Sequence, residues 1–286
     1  MADDLSFFTA QPDDADTLVP THMAASMWND DQMHGVALSG ALARAAERRL
    51  AALGRDDLRG ARFDVDLFKQ GRMQPTRFET TVVREGRRIC LVDVVAVQVD
   101  GPVARGTATF VKPTESAPGE AWSPAERFAP PPPEVAPESD EPRVPFVRSD
   151  VAWSQNFLEH QNAGRKQTWT TAIPVVPGDP GGPFAWAASV ADGASMVANW
   201  GTRGVQYINT DIMVGLARLP VSQEIGLGAL DRVEADGIAV GTAAIYDRQG
   251  PLGSVVVTGI SNSRRTVDFA TVEYDDDGTR RAVPRA

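Results

Sequence analysis

The sequence predicts an α+β protein built from two similar domains in tandem, each an antiparallel sheet folded around one central helix. Three observations favour this fold. The chain contains an internal repeat, each copy of the repeat follows a helix-like segment of small apolar residues, and a proline-rich segment separates the copies. One helix followed by a run of strands is typical of an antiparallel sheet packed on that helix. A chain of 286 residues is expected to hold two domains of ordinary size.

The repeat relates residues 64–75 to residues 209–220. Asp66 and Asp211 fall in register, and each copy ends in a proline. The separation of the copies is far longer than the roughly 20–50 residues of a solenoid repeat. The repeat therefore indicates two whole domains of one fold.

The first domain is predicted to span residues 1–113. Asp30 or Asp31 is expected to cap a helix that begins near Met33 and ends at Gly54. The first half of this helix is apolar on every side, which predicts that other elements surround it. Four strands are expected to follow, at 61–69, 77–85, 88–99 and 103–112.

Residues 114–145 form a predicted linker between the domains. The stretch from Pro113 to Pro145 carries ten of the chain's 21 prolines. Proline lacks the backbone N–H that helices and sheets need, and runs of proline favour extended, semi-rigid chain. The domain boundary is therefore expected in this segment.

The second domain, predicted over residues 146–286 with a C-terminal tail, repeats the order of the first. A strand is expected near 165–175, followed by a helix over 184–200 that stops at Gly201. Further strands are expected at 205–217, 223–234, 238–247 and 252–261.

Composition excludes several classes of function. The net charge of −10 argues against nucleic-acid binding, because neutralising phosphates requires a basic face. No apolar run approaches the roughly 18 residues of a membrane span. The chain starts with acidic residues rather than the basic and then apolar residues of a signal peptide, and its single cysteine, Cys90, forms no internal disulfide. These features predict a cytoplasmic protein without a membrane span.

Asp192 is the candidate catalytic residue that the sequence itself singles out. It is the only ionisable side chain between Phe184 and Trp200, in an otherwise apolar helix. Carboxylates are rarely buried without partners, so a buried Asp192 should have a perturbed pKa. The alternative is that Asp192 lies on an exposed stripe or ties down a neighbouring loop. The aligned stretch of the first helix, 38–43, has no such acid, so any site is expected to depend on the second domain.

Three segments resemble motifs of a known superfamily. Residues 207–220 (YINTDIMVGLARLP) resemble the strand motif N-T-D-L-T-V-x-L-H-R-P-P, and residues 246–253 (YDRQGPLG) resemble the hairpin motif YD-x-x-G-P-x-G. Residues 28–35 (WNDDQMHG) resemble the motif W-N-x-x-x-x-H-G-G, with Val36 in place of the second glycine. On these motifs the chain resembles the double hot-dog thioesterase-like superfamily, which is related to the type II acyl-CoA thioesterases.

The resemblance implies an acyl-CoA thioesterase of lipid metabolism that uses water as nucleophile and needs no cofactor. In the type II enzymes an aspartate, a threonine and a glutamine hold the water. These positions fall on Asp192, Asn209 and Thr258, so two of the three are substituted. Asparagine and threonine still offer hydrogen bonds to a water, with a different arrangement of donors and acceptors. The resemblance also implies that the two domains pair within the chain and that two chains form a homodimer.

Three further residues are candidate contacts of the acyl-CoA substrate. His34 and Gly35 stand at the start of the first helix; capping or packing is the alternative for His34. Backbone amides at the start of one of the two central helices are expected to polarise the thioester carbonyl. Arg264 follows the last matched strand and is a candidate partner of the coenzyme A phosphates, with an ordinary solvated loop as the alternative. No metal site is expected, because no His, Cys and Asp cluster has ligand spacing.

Two other functions remain open at this stage. The substitutions at the second and third catalytic positions favour a protein that binds acyl or acyl-CoA ligands without turnover. An enoyl-CoA hydratase needs an aspartate and a histidine close together after the helix start, and residues 184–210 contain no histidine. The hydratase is therefore the weakest alternative.

Overall fold

The computed structural model of the protein describes residues 5–179, 181–274 and 280–282. Its first half contains the elements β1 (Phe8–Gln11), β2 (Asp14–Pro20), α1 (Gly35–Ala52), β3 (Arg59–Asp66), β4 (Thr76–Glu85), β5 (Ile89–Gln98) and β6 (Gly101–Val111). Its second half contains β7 (Phe146–Arg148), β8 (Gln167–Thr171), α2 (Pro183–Ala191), α3 (Ala194–Asn199), β9 (Trp200–Gly201), β10 (Gly204–Val205), β11 (Tyr207–Leu216), β12 (Glu224–Ala235), β13 (Ile238–Asp247), β14 (Gly250–Ser261), β15 (Val272–Tyr274) and β16 (Arg280–Ala282).

One antiparallel sheet of 12 strands runs through both halves, in the order β1-β2-β4-β5-β6-β3-β11-β14-β13-β12-β8-β7. The strand orders of the two halves mirror each other. Counted inward from the two edges of the sheet, β1, β2, β4, β5, β6 and β3 of the first half correspond to β7, β8, β12, β13, β14 and β11 of the second. The halves meet where β3 pairs with β11, and there Asp66 lies directly opposite Asp211, the two aspartates of the sequence repeat. The repeat therefore marks the join between the two halves of the sheet.

The helix α1 is enclosed by the sheet, as its apolar first half predicts. Ala37, Leu38, Ala41 and Leu42 are all buried in the core. The helix begins at Gly35, close to the predicted start near Met33, but the prediction that Asp30 or Asp31 caps it is wrong. The cap is His34, whose Nδ1 accepts a hydrogen bond of 3.0 Å from the Ala37 amide. This bond gives a partner to one of the first amides of the helix, which have none within the helix.

The predicted helix over 184–200 is two helices. Between α2 and α3 the hydrogen bonds tighten to a 3₁₀ pattern, with Gly193 N–H donating to Val190 O at 2.9 Å and Ser195 N–H to Asp192 O at 3.1 Å. A short 3₁₀ stretch inside a helix often marks a functional position. The break places Asp192 at the end of α2.

The proline-rich segment has no helix or strand between Val111 and Phe146, as predicted. It is nevertheless fixed to the second half through Glu224, a buried carboxylate at the start of β12. Glu224 accepts hydrogen bonds from Arg143 of the segment at 2.7 Å and from Arg248 at 2.6 Å. Arg248 also donates to Ala136 O at 2.8 Å, so the segment is held along the edge of the second half.

The hairpin motif at residues 246–253 has a structural role. Asp247 is fully buried and accepts two hydrogen bonds from Arg218, at 2.8 and 2.5 Å. It also accepts from the backbone amides of Val221 and Gln249. Because Arg218 belongs to the strand motif, this bidentate pair ties the two motifs together.

Candidate active site

A cavity of about 760 Å³ lies between the start of α1 and the break between α2 and α3. Its volume is within the roughly 300–1,000 Å³ that small-molecule sites occupy. Most of the wall is apolar, with Phe7, Leu38, Val190, Leu227 and Phe269 among the lining residues. Polar side chains gather where the helices approach each other: His34, Ser189, Asp192, Ser195, Asn209 and Thr210.

Asp192 is the carboxylate of this polar end. It is half-buried at the edge of the cavity, and its hydrogen-bond partners lie on β11 and α1 rather than on a loop. Its Oδ1 accepts a hydrogen bond of 2.8 Å from Asn209 Nδ2. Burial raises the pKa of Asp192 to about 6, although hydrogen bonds from Asn209 and the Val36 amide lower it. An acid with such a pKa is a base near neutral pH, as general-base catalysis requires.

Gly35 allows the Asp192 carboxylate to reach the first turn of α1. A Cβ at Gly35 would overlap the Asp192 carboxylate, so any larger residue there would displace it. The positive end of the α1 dipole therefore faces the carboxylate, and the Val36 amide hydrogen-bonds to it. Gly35, a predicted substrate contact, therefore lies at the candidate active site, where it makes room for the Asp192 carboxylate.

Asn209 reaches Asp192 because β11 is irregular at this point. The pairing with β14 shifts between Asn209 and Asp211, which leaves Thr210 as an extra residue in a bulge. Such bulges redirect side chains and are common next to active sites. Thr210 lines the cavity, and its hydroxyl lies 3.1 Å from Asp211 Oδ2 and 3.3 Å from Thr258 O, two acceptors for its one proton. Thr210 is not predicted as a site residue, since no pattern in the sequence reveals the bulge.

The placement of Thr258 beside Asp192 is a prediction that the structure does not support. Thr258 is absent from the described residues that line the cavity, and its backbone amide donates to Asp211 Oδ1 at 3.2 Å. Its neighbours Val257 and Gly259 are buried on the helix side of β14. Thr258 pairs with Asp211 of β11, and neither residue is among the described residues that line the cavity.

His34 lines the cavity, but both nitrogens of its ring are hydrogen-bonded to backbone groups of the protein. Its Nδ1 caps α1 and its Nε2 lies 2.9 Å from Met23 O, so the ring is neutral with the proton on Nε2. Burial lowers the pKa of His34 to about 4. The capping alternative therefore describes His34, and the ring holds the chain before α1 against the cavity.

Arg264 is exposed in the turn after β14 and is not among the residues that line the cavity. Within the described chain, the cations of the cavity wall are Lys69 and Arg143 instead. Lys69 is exposed in the loop after β3, and its Nζ donates to Asp100 O at 3.1 Å. The linker residue Arg143 enters the wall because the segment 142–145 packs along the cavity, which its proline content does not indicate.

Among the described residues, no group of His, Cys, Asp and Glu side chains is arranged to hold a metal ion. In the same part of the chain, no helix is long and apolar enough to cross a membrane.

Comparison with known proteins confirms the resemblance that the motifs indicate. Residues 24–111 match the family model of the acyl-CoA thioesterase N-terminal domain. This match covers α1 and the strands β3 to β6. No curated protein sequence matches the chain.

Several solved structures share the fold. The tesB protein of Mycobacterium avium subs paratuberculosis is 19% identical with a TM-score of 0.62, over 86% of this chain and 92% of that one. Acyl-CoA thioesterase II TesB2 of Mycobacterium marinum is 20% identical with a TM-score of 0.57, over 79% and 90% of the two chains. A conserved hot-dog protein of unknown function from Alicyclobacillus acidocaldarius is 18% identical with a TM-score of 0.61, over 91% and 96%. The chain thus has the α+β hot-dog fold.

Proposed function

We propose that the protein is an acyl-CoA thioesterase, which hydrolyses a fatty acyl-CoA to the free acid and coenzyme A by direct attack of water. The observation that carries this proposal is the Asp192 carboxylate, held by Asn209 at the start of α1 and facing an apolar cavity of about 760 Å³. The match of residues 24–111 to an acyl-CoA thioesterase domain supports the same reaction. The substrate's apolar chain fills the cavity, and its thioester lies at the polar end.

In the proposed reaction, Asp192 acts as general base. It takes a proton from a water while the water oxygen attacks the thioester carbonyl carbon. Asn209 keeps the carboxylate in place, and Thr210, which lines the cavity where Thr258 does not, is the hydroxyl proposed to hold the water. The tetrahedral intermediate then collapses, the C–S bond breaks, and the coenzyme A thiolate takes up the proton that Asp192 accepted from the water, which restores the base.

The Gly35 amide is the proposed donor to the carbonyl oxygen. The next two amides of α1 are engaged, since that of Val36 interacts with Asp192 and that of Ala37 donates to His34 Nδ1. The first N–H of the helix is thereby the one directed at substrate. A backbone donor aimed at the developing oxyanion typically contributes about 3 kcal/mol to catalysis.

The pH dependence of turnover tests the role of Asp192. Since the base must be ionised, kcat/KM should rise with pH through an apparent pKa of about 6 and then level off. His34, with its pKa of about 4, stays neutral through this range and does not produce the limb. A rate that is independent of pH between 5 and 8 would contradict the assignment.

Asn209→Ala removes the hydrogen bond that lowers the pKa of Asp192. The acid limb should therefore move to higher pH, and kcat at pH 8 should fall about tenfold, the lower end expected for losing a hydrogen bond to a charged group. The measurement is the full pH profile of thiol release. Asn262→Ala, just after β14, is the matched control and should leave both the limb and the rate unchanged.

The two halves of the sheet are two hot-dog domains in tandem, with boundaries at residues 1–113 and 146–286 around the linker 114–145. The mirrored strand order supports this division. Two chains form a homodimer in the cytoplasm; light scattering that gives the mass of a single chain would remove the dimer from the proposal.

A binding protein without turnover is the second candidate function. The observation in its favour is that Asn209 and Thr258 replace two catalytic positions of the type II enzymes, and that Thr258 does not reach the cavity. Saturable binding of an acyl-CoA with no release of thiol would support this candidate.

A further inference from the structure

The two halves place an acid at the start of each other's helix. Glu47 on α1 and Asp192 after α2 have the same separation along the chain as Asp66 and Asp211 of the repeat. The helices run antiparallel, so Asp192 meets the start of α1 and Glu47 meets the start of α2. Glu47 is therefore the counterpart of Asp192, and the expectation that the first helix has none is wrong.

The surroundings of Glu47 repeat those of Asp192. Glu47 Oε2 accepts a hydrogen bond of 2.9 Å from the Gly182 amide, and the amides of Phe184 and Ala185 also face it. A Cβ on Gly182 would press on the Glu47 carboxylate, as one on Gly35 would on Asp192. Burial raises the pKa of Glu47 to about 7. The same arrangement thus occurs twice: a half-buried carboxylate lies at the start of a helix, against a glycine whose lack of a side chain leaves room for it.

A second cavity, of about 190 Å³, adjoins Glu47. The part of its wall next to Glu47 corresponds to the wall next to Asp192, under the separation that relates the two halves. Leu50, Ala51 and Gly60 of the small cavity correspond to Ser195, Met196 and Val205, all of which line the large one. The small cavity is therefore the counterpart of the candidate active site within the first half.

Aromatic rings limit the length of this second cavity. The Phe184 ring occupies the space above Gly60, where a Cβ would overlap it. Phe63 and Phe110 pack against Phe184 with ring centroids 5.7 and 5.4 Å away. A cavity of about 150 Å³ suffices to hold a benzene ring, so the space beside Glu47 fits an acyl group of a few carbons. The exposed cation Arg59 in the wall suits the phosphates of coenzyme A.

The second cavity lacks the amide that holds the base in the first. The repeat places Asp64 at the position of Asn209, and Asp64 forms an ion pair of 2.7 Å with Arg62. Asp64 does not line the small cavity. In the described structure Glu47 therefore has no equivalent of Asn209 beside it to position a water, which favours binding over hydrolysis.

We propose that the cavity beside Glu47 is a second ligand site, which binds acyl-CoA thioesters with short acyl chains and does not hydrolyse them. The choice of ligand rests on the proposed thioesterase function, because the cavity is the internal counterpart of that active site. Its size excludes the longer acyl chains that the large cavity accommodates.

The test is calorimetric titration with S-propyl-CoA and S-dodecyl-CoA, thioethers that cannot be hydrolysed. The wild type should bind two S-propyl-CoA molecules and one S-dodecyl-CoA molecule per chain. Leu219→Trp fills the small cavity from the loop after β11, and Ala51→Leu fills it from an exposed position of α1, where the larger side chain leaves the core undisturbed. Both variants should lose one S-propyl-CoA site and keep the S-dodecyl-CoA site.

Equal S-propyl-CoA stoichiometry in the wild type and in both folded variants would overturn the second site. That result, together with a retained S-dodecyl-CoA site, would leave the proposed function standing. A second outcome would separate the two proposals in the other direction. If the two variants lose S-propyl-CoA binding and no protein binds S-dodecyl-CoA, the second site is supported, and the result counts against the large cavity as an acyl site.

Discussion

Asp192→Asn should lower kcat for a good acyl-CoA substrate by about 10²–10⁴-fold, the range that a general base contributes. The variant keeps the shape of the side chain and a hydrogen-bonding partner for Asn209, so KM should change little. The measurement is steady-state thiol release at pH 8. Asp13→Asn, a change of the same type at an exposed position between β1 and β2, is the control and should keep wild-type kinetics. Unchanged hydrolysis in Asp192→Asn would remove Asp192 from the mechanism.

The same variant should be more stable than the wild type at high pH. Because the folded protein raises the pKa of Asp192 from 3.8 to about 6, the stability that its bound proton provides is complete below pH 4. That stability is lost as the pH rises through about 6, for a total of at most about 3 kcal/mol. The asparagine side chain of the variant never ionises, so urea denaturation should show its stability advantage growing between pH 4 and pH 8. An advantage that does not change with pH would contradict the burial of an ionised carboxylate.

Gly35→Ala should abolish most of the activity without harming the fold. Alanine is a better helix former than glycine by up to about 1 kcal/mol, so α1 itself tolerates the change. The new Cβ would overlap the Asp192 carboxylate and force it away from the first turn of α1. A displacement of about 1 Å at a reacting group costs on the order of 100-fold in rate, and we expect kcat to fall by at least that factor.

Gly215→Ala on β11 is the matched control for Gly35→Ala. Its new Cβ would meet no described atom within 4 Å, so activity should remain at the wild-type level. Wild-type turnover by Gly35→Ala, in a protein with an unchanged melting temperature, would show that contact between Asp192 and α1 is not needed.

The fold can be predicted from the sequence because its signals are local and repeated. The apolar first half of α1 and the long alternating strands such as β5 are readable from residue type alone. The short strands β1, β2 and β7 are not predicted, since pairs of a few residues at sheet edges carry little apolar pattern. The break between α2 and α3 is not predicted either, because Gly193 alone in an apolar stretch does not reveal that the helix tightens there.

The candidate site is only partly predictable, for geometric reasons. Asp192 stands out as an acid among apolar residues, and Asn209 follows it through the strand motif. The prediction for Thr258 fails because the bulge at Thr210 decides which side chains of this strand pair face the cavity, and Thr258 pairs with Asp211 beyond the bulge. Glu47 is not predicted from the sequence, because it lies among the charged residues of the second half of α1 and so does not stand out from its neighbours as Asp192 does. Its role is visible only once the packing of α1 on α2 is known.

The most direct test of the account is free-thiol release by the wild type from a series of acyl-CoAs, from acetyl-CoA to palmitoyl-CoA. The account predicts turnover that rises with pH through about 6 and favours acyl chains long enough to fill a cavity of about 760 Å³. Saturable binding of these acyl-CoAs with no release of thiol at any chain length would contradict it, and would show that the site holds acyl-CoA without acting on it.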